Sequence, residues 1–483
     1  MRAVNLTIAL FLCFSVALSQ SITMSYATIP ITGEPEPGME SYDRIIPAFM
    51  AKYSIPGGAV AVVKDGRLAF ARGYGYADTG SNSPVQPYSL FRIASLSKQF
   101  TAVTILKLVE EQRLKLDDKA FPMLNFQPPK GAKVQDQRIF NITIRELLEH
   151  SGGWNRDKTF DPMFIPYTIA QAVGTNAPPS IDSIIQYMLT QPLQFAPGTQ
   201  YAYSNFGYLV LGRVIEKVTG QRYANYVREH ILMQVGLDDM RIGHTQLAFA
   251  APGEVHYYDY PGAELVQSVF PNISRRVPEP YGGFYLEDMD SHGAWIASAV
   301  DIVRFAASVD GAKPPSLLSP AMVQEMLSHP PPPLWVGSDD WYGLGWLVRP
   351  VTKTESNWWH TGSLPGTMTI VVRASDGIIW AALFNTRTSN SDPTFTDLDN
   401  SLWDARKAVT SWPNHDLFPP NQPAKTTSRA LDTTHHVTTN NQLQSTSTTQ
   451  LEVNSSFFVI SYALPVIIMA VIGALYLRSR RAR

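Results

Sequence analysis

Phe91-Arg92-Ile93-Ala94-Ser95-Leu96-Ser97-Lys98 opens a run that reads as an amphipathic helix. Residues three apart lie on one helical face, so the Lys98 amine can reach the Ser95 hydroxyl. No other lysine of the chain has a serine three positions before it. An unassisted serine is a weak nucleophile at neutral pH, and a desolvated, neutral lysine beside it could take its proton. A helix start also offers free N–H groups and a positive dipole end, which favour an oxyanion there. A lone S-x-x-K is more often a surface serine near a surface lysine, so its meaning depends on the downstream residues.

Two further motifs come in the order such a site needs. Tyr203-Ser204-Asn205 comes after the Pro197-Gly198 turn and precedes an apolar helical run, Leu209 to Val218. This places Tyr203 at a loop–helix junction, where its phenol can face a cleft. His360-Thr361-Gly362 comes after Trp358-Trp359 and precedes a strand-like run, Met368 to Val372. The triplet is expected on or beside a sheet edge, with Gly362 letting a substrate backbone approach.

With these three motifs the chain resembles the serine β-lactamase and penicillin-binding protein superfamily. The resemblance is strongest to the branch of class C β-lactamases, D-Ala-D-Ala carboxypeptidases, D-amino-acid peptidases and related esterases. That branch carries S-x-x-K, then Y-x-N, then K-T-G or H-x-G. Ile144-Arg145-Glu146-Leu147-Leu148-Glu149-His150-Ser151-Gly152-Gly153, Leu209-Val210-Leu211-Gly212, Ile215 to Gly220 and Tyr342-Gly343-Leu344-Gly345-Trp346 extend it over about residues 45 to 405. It implies an α+β fold: an antiparallel sheet built from both ends of the domain, flanked by helices, with a mostly helical subdomain and the site between them. The pattern of residues alone reads as α+β. Gly58 to Val63, Asp65-Gly66 and Leu68 to Ala71 read as a hairpin, Ile378 to Phe384 as a late strand, and Phe395 to Val409 as a closing helix.

Carried over residue by residue, the resemblance makes Ser95 the nucleophile, with Lys98 and Tyr203 moving its proton. Which of the two is the base stays open, since burial would lower the lysine's pKa and a cationic Lys98 would lower the phenol's. Asn205 would hold a substrate amide and orient Lys98; His360, Thr361 and Gly362 would contact the substrate. The Ser95 N–H and one from the strand near His360 would form the oxyanion hole. His360 stands where many relatives have lysine. A histidine, with an ordinary pKa of about 6.5, is mostly neutral at pH 7 and a weaker anchor for a substrate carboxylate. This argues against an efficient β-lactamase, though not against hydrolysis.

Several look-alikes read as structural. Tyr223-Ala224-Asn225 also spells Y-x-N, but lies inside a helical run without the Pro-Gly turn. Lys353-Thr354-Glu355 lacks the glycine of a K-T-G box. Ser97 does not share the face of Lys98, and Ser151 sits in no G-x-S-x-G elbow, so the α/β-hydrolase reading fails.

The chain has 483 residues, 45% of them apolar, and a net charge of −2. These values fit one sizeable catalytic domain and give no reason to expect nucleic acid. No cofactor is implied, and without H-E-x-x-H or clustered histidines no metal site is expected. The partner is a small-molecule or peptide substrate; the sequence is silent on oligomeric state. Residues 1–19 read as a secretory signal peptide that contains Cys13, the only cysteine. Next come an extension over 20–44, a β-lactamase-related domain over 45–415 and a Ser/Thr-rich disordered stalk over 416–456. Residues 457–477 hold no charge and read as a transmembrane helix, with a basic cytoplasmic tail over 478–483. A GPI signal competes with this reading; the terminal arginines favour a retained anchor. Asn141-Ile142-Thr143, Asn272-Ile273-Ser274 and Asn454-Ser455-Ser456 are N-glycosylation sequons. The expected function is that of a membrane-anchored extracellular serine hydrolase acting on an amide or ester. The alternatives from other classes are an inactive binding module and a self-associating surface scaffold.

Overall fold

The computed structural model describes residues 29–389 and 394–418. The signal peptide, the stalk beyond residue 418, the 457–477 helix, the basic tail and the Asn454 sequon lie outside the described residues. Among the described residues no helix is long and apolar enough to cross a membrane.

The sheet starts from a hairpin. Strands β2 (Gly57–Lys64) and β3 (Arg67–Asp78) pair antiparallel across Asp65-Gly66. Both turn residues take positive φ, 52° and 72°, the backbone for which Asp-Gly is suited in a two-residue hairpin turn. The apolar run Ala59 to Val63 has no polar alternation because both sheet faces are covered. Ala59, Ala61 and Val63 enter one core, Val60 and Val62 the other.

Five later strands complete the sheet: β4 (Trp341–Tyr342), β5 (Leu347–Pro350), β6 (Ser356–Leu364), β7 (Thr367–Arg373) and β8 (Ile379–Phe384). With β1 (Ile31–Thr32) the order is β1-β3-β2-β8-β7-β6-β5-β4, antiparallel throughout, and Ser83–Pro84 pairs with β3. Strands from the two ends of the domain therefore meet at β2 and β8, as the resemblance implies. On one face α1 (Glu40–Tyr53) and α5 (Thr394–Lys407) contribute Tyr42, Ile46, Phe49, Leu398 and Leu402 to a core around Phe70 and Trp380. The other face carries α4 (Ala299–Asp310) and the helical region, which share the larger core with α2 (Ser97–Glu110) and α3 (Asn205–Thr219). Every residue of α2 from Ser97 to Leu106 is buried, so this helix runs through the interior rather than along a surface.

Two boundaries differ from the sequence reading, while the triplet at 360–362 keeps its expected place at a local sheet edge. β5 pairs with Ser356 to Trp359 only, so among the described residues His360 to Gly362 pair with β7 alone and leave their other side open. Ordered structure begins before residue 45, because β1 and the first turn of α1 belong to the fold. It continues past 415, where Asp416 accepts from the Leu68 N–H and Phe418 is buried.

Candidate active site

The segment before Ser95 is held from three directions. The buried Arg92 guanidinium donates to the carbonyls of Pro280, His244 and Thr245. The Ile93 N–H donates to Trp295 O at 3.0 Å, and Thr369 Oγ1 on β7 donates to Ile93 O at 3.0 Å. So fixed, the chain turns through Ala94 at φ 48°, a left-handed conformation that costs a residue with a Cβ roughly 1–3 kcal/mol. Ala94–Leu96 form a 3₁₀ turn that runs into α2. The first intrahelical donor is Leu96, bonded to Ile93 O, which leaves the Ser95 N–H in the unpaired first turn. Gly362 on β6 presses against this turn. A Cβ there would lie 2.6 Å from Ile93 O and 3.0 Å from Ser95 N, and would overlap Thr369 Oγ1.

Lys98 is fully buried. Its Nζ lies 3.1 Å from Ser95 Oγ, 2.8 Å from Asn205 Oδ1 and 2.9 Å from His292 O. Burial holds its pKa well below the ordinary lysine value; the positive Arg156 acts in the same direction, and Asp161 opposes. Asn205 is placed by the start of α3, where Ser204 caps the helix by accepting from the Gly207 N–H. Its Nδ2 donates to Asp161 Oδ2 at 2.7 Å, which fixes Oδ1 toward the lysine.

Tyr203, just before that cap, is half-buried, with its hydroxyl directed at Ser95. Desolvation raises its pKa far above the usual phenol value, and the nearby Ser95 offsets only part of this. Its ring stands 4.9 Å from Lys98 Nζ and 4.2 Å from the His150 ring. His150 is itself buried at φ 57° and accepts the Ser204 N–H on Nδ1 at 3.1 Å, so it holds the turn that carries Tyr203.

His360 is buried on β6, with Nδ1 at 2.6 Å from Thr361 O and Nε2 at 3.0 Å from Tyr342 Oη. A carbonyl only accepts, so Nδ1 carries the proton and Nε2 accepts from the tyrosine. Burial, helped by the charge of Lys98, lowers its pKa to about 3. The imidazole is neutral, as expected from sequence, and its ring nitrogens are occupied within the protein.

The look-alikes fall in other surroundings. Tyr223 is buried, with its hydroxyl 2.7 Å from Thr101 Oγ1. Lys353-Thr354-Glu355 is an exposed turn between β5 and β6. Ser97 Oγ accepts from the Trp295 N–H, and Ser151 Oγ donates to Glu146 O.

Ser95, Tyr203, Asn205, His360 and Thr361 line one cavity of about 550 Å³, with Lys98 and Gly362 packed directly behind them. The three sequence motifs thus converge on one place. Sequence reasoning missed Asp161, His150, Tyr342, Arg156 and the His292 carbonyl. The one signal nearby, Asp161 before Pro162, marks the cap of a short 3₁₀ turn and says nothing of Asn205.

The fold thus sets a serine beside a buried amine, a phenol and a backbone N–H at a helix start. The Beta-lactamase family model matches residues 42–399, and the chain belongs to that family. It is 25% identical to penicillin-binding protein 4* of Bacillus subtilis (strain 168) over 384 residues, covering 78% of this chain and 76% of that protein. The D-amino acid amidase of Ochrobactrum anthropi SV3, complexed with D-phenylalanine, superposes with a TM-score of 0.60 at 22% identity, over 77% of this chain and 98% of that one. The octameric penicillin-binding protein homologue from Pyrococcus abyssi gives 0.57 at 24% identity, over 77% and 78%.

Proposed function

We propose that the chain is a serine hydrolase that cleaves an amide or ester bond through an acyl-enzyme on Ser95, with Lys98 as the base. The observation that carries this reading is the hydrogen bonding of Lys98. Asn205 Oδ1 and His292 O can only accept, so two N–H bonds of the amine are committed to them. In the neutral amine that burial favours, the lone pair is left facing Ser95 Oγ.

Ser95 Oγ attacks the substrate carbonyl carbon while its proton passes to Lys98 Nζ. The oxyanion forms beside the Ser95 N–H, against the strand that Gly362 keeps close; one such donor is typically worth on the order of 10²–10³ in rate. Collapse expels the amine or alcohol, which takes a proton relayed from Lys98 through the neutral Tyr203 hydroxyl. Water then attacks the acyl-enzyme with the same groups in reverse roles. The likeness to a D-amino acid amidase supports an amide substrate. The committed ring nitrogens of His360 speak against a charged anchor at the third triplet, and so against efficient β-lactam hydrolysis. The membrane anchor over 457–477 and the extracellular position of the domain belong to this proposal on the strength of the sequence alone.

The test is intact mass of the full chain after a fluorophosphonate. One adduct on the wild type and none on Ser95→Ala are expected, with unchanged circular dichroism. A folded wild-type protein that takes no adduct, or a Ser95→Ala variant that keeps turnover, sinks the reading. Protease treatment of intact cells tests the topology: loss of the catalytic domain with the cells unbroken is expected, and full protection contradicts it.

A further inference from the structure

The cavity beside Ser95 has an uneven charge. Among the described residues that line it there is no carboxylate, while two arginines, Arg156 and Arg387, reach it. Arg387 is already engaged: its guanidinium donates to Asp259 at 2.9 and 3.2 Å and to Glu279 at 2.5 Å. Its side chain is only 12% exposed. Arg156 differs on both counts. Its side chain is 37% exposed, and one terminal nitrogen meets Asp161 Oδ2 at a long 3.3 Å, with Asp157 farther off at 3.8 Å. The guanidinium carbon stands 4.7 Å from the centroid of the Tyr203 ring, and that ring lines the cavity together with Ser95.

A carboxylate group of a substrate needs a fixed cation, and the other candidates are excluded by their surroundings. The proton on His360 Nδ1 is given to Thr361 O, and Nε2 is an acceptor. Lys98 is sealed behind Ser95. Lys353 lies on an exposed turn outside the cavity. Among the described residues Arg156 alone combines a permanent charge, access from solvent and a place next to the nucleophile. Through Asp161 it is joined to Asn205, so it stands on the Asn205 side of Ser95, across from the β6 strand.

We infer that Arg156 is the specificity-determining residue of this site, selecting substrates that carry a carboxylate on the Asn205 side of the scissile bond. The inference rests on the hydrolase reading for its meaning, but it concerns binding and is tested without turnover. A guanidinium pairs with a carboxylate through charge-assisted hydrogen bonds that a neutral isostere cannot make.

The experiment compares succinamate with butyramide, which share the amide and chain length and differ in the terminal carboxylate. Their Kd values for the full-length protein are measured by ligand-observed NMR. Wild type is expected to favour succinamate by about ten-fold or more, the value of one charge-assisted bond, and the preference shrinks as salt is raised. In Arg156→Gln the ratio of the two Kd values is expected to collapse toward one. Equal binding of the two ligands by wild type, or a preference that survives Arg156→Gln, overturns the inference. An unreactive Ser95 would sink the hydrolase reading and leave this comparison standing, so the two failures are told apart.

Discussion

Asp161 decides which end of the Asn205 amide faces the lysine. Its carboxylate can only accept, so Asn205 presents Nδ2 to it at 2.7 Å and is left with Oδ1 toward Lys98 at 2.8 Å. Without this acceptor the amide can turn, and two N–H donors would then confront the amine. Losing such a bond between buried groups costs about 1–3 kcal/mol. Asp161→Ala should therefore lower kcat/KM by roughly ten- to a hundred-fold and lower Tm as well. A kcat/KM within two-fold of wild type would show that the orientation of Asn205 is immaterial.

If Lys98 is the base, activity depends on the fraction of neutral amine. Burial lowers the lysine pKa, so kcat/KM should rise with pH through that lowered value and level off below the ordinary lysine range. Arginine stays protonated at any accessible pH. Lys98→Arg should thus lose the acid limb together with activity, by a factor on the order of 10²–10⁴, the usual worth of a positioned base. A pH–rate profile on both proteins checks this; an unchanged acid limb in the variant would assign the base elsewhere.

Gly362 is predicted to be irreplaceable even by alanine. The added methyl would meet Ile93 O and the Ser95 N–H, both backbone atoms fixed by the sheet and the 3₁₀ turn, so neither can yield by a rotamer change. Overpacking of this kind costs about 1–3 kcal/mol, and here it falls on the oxyanion donor. Gly362→Ala should show a lower Tm and a loss of kcat much larger than the loss of stability explains. Equal kcat in the two proteins would place the oxyanion elsewhere.

Glu149 gives the fold a pH response separate from catalysis. It is buried, and burial lifts its pKa to about 7 although Arg145 lies 3.6 Å away and pulls it down. The folded state therefore holds the proton more tightly than the unfolded chain. That contribution is complete below the unfolded value near 4.5 and is lost as pH rises through about 7. Glu149→Gln should raise Tm at pH 8 relative to wild type, by the equivalent of roughly 1–3 kcal/mol, and change it little at pH 4. A variant less stable than wild type at pH 8 refutes the assignment.

The sequence made the reacting groups legible and left their control hidden, for a physical reason. Ser95 and Lys98 are one turn apart, so spacing alone brings them together; Tyr203 and Asn205 flank a helix cap whose turn is written in Pro197-Gly198. The hairpin over 57–78 was equally open, from its apolar run and Asp-Gly turn. His360 could be read as neutral from its ordinary pKa, but not as occupied: Tyr342 reaches it only because the chain doubles back through β5. His150 touches Tyr203 across 53 residues, and Asp161 meets Asn205 across 44. Such pairs obey no local period, and one sequence carries no trace of them.

The meeting of β2 with β8 has a consequence for how the site comes into being. Val63 pairs with Ile379, more than 300 residues later, and β7, which clamps the carbonyl just before Ser95, stands next to β8 in the sheet. A growing chain on the ribosome carries the serine and its lysine long before the strands that aim them exist. Pairings this remote close slowly. Reactivity should arrive late and all at once, when nearly the whole domain has been made, so that unfinished or clipped chains remain chemically silent.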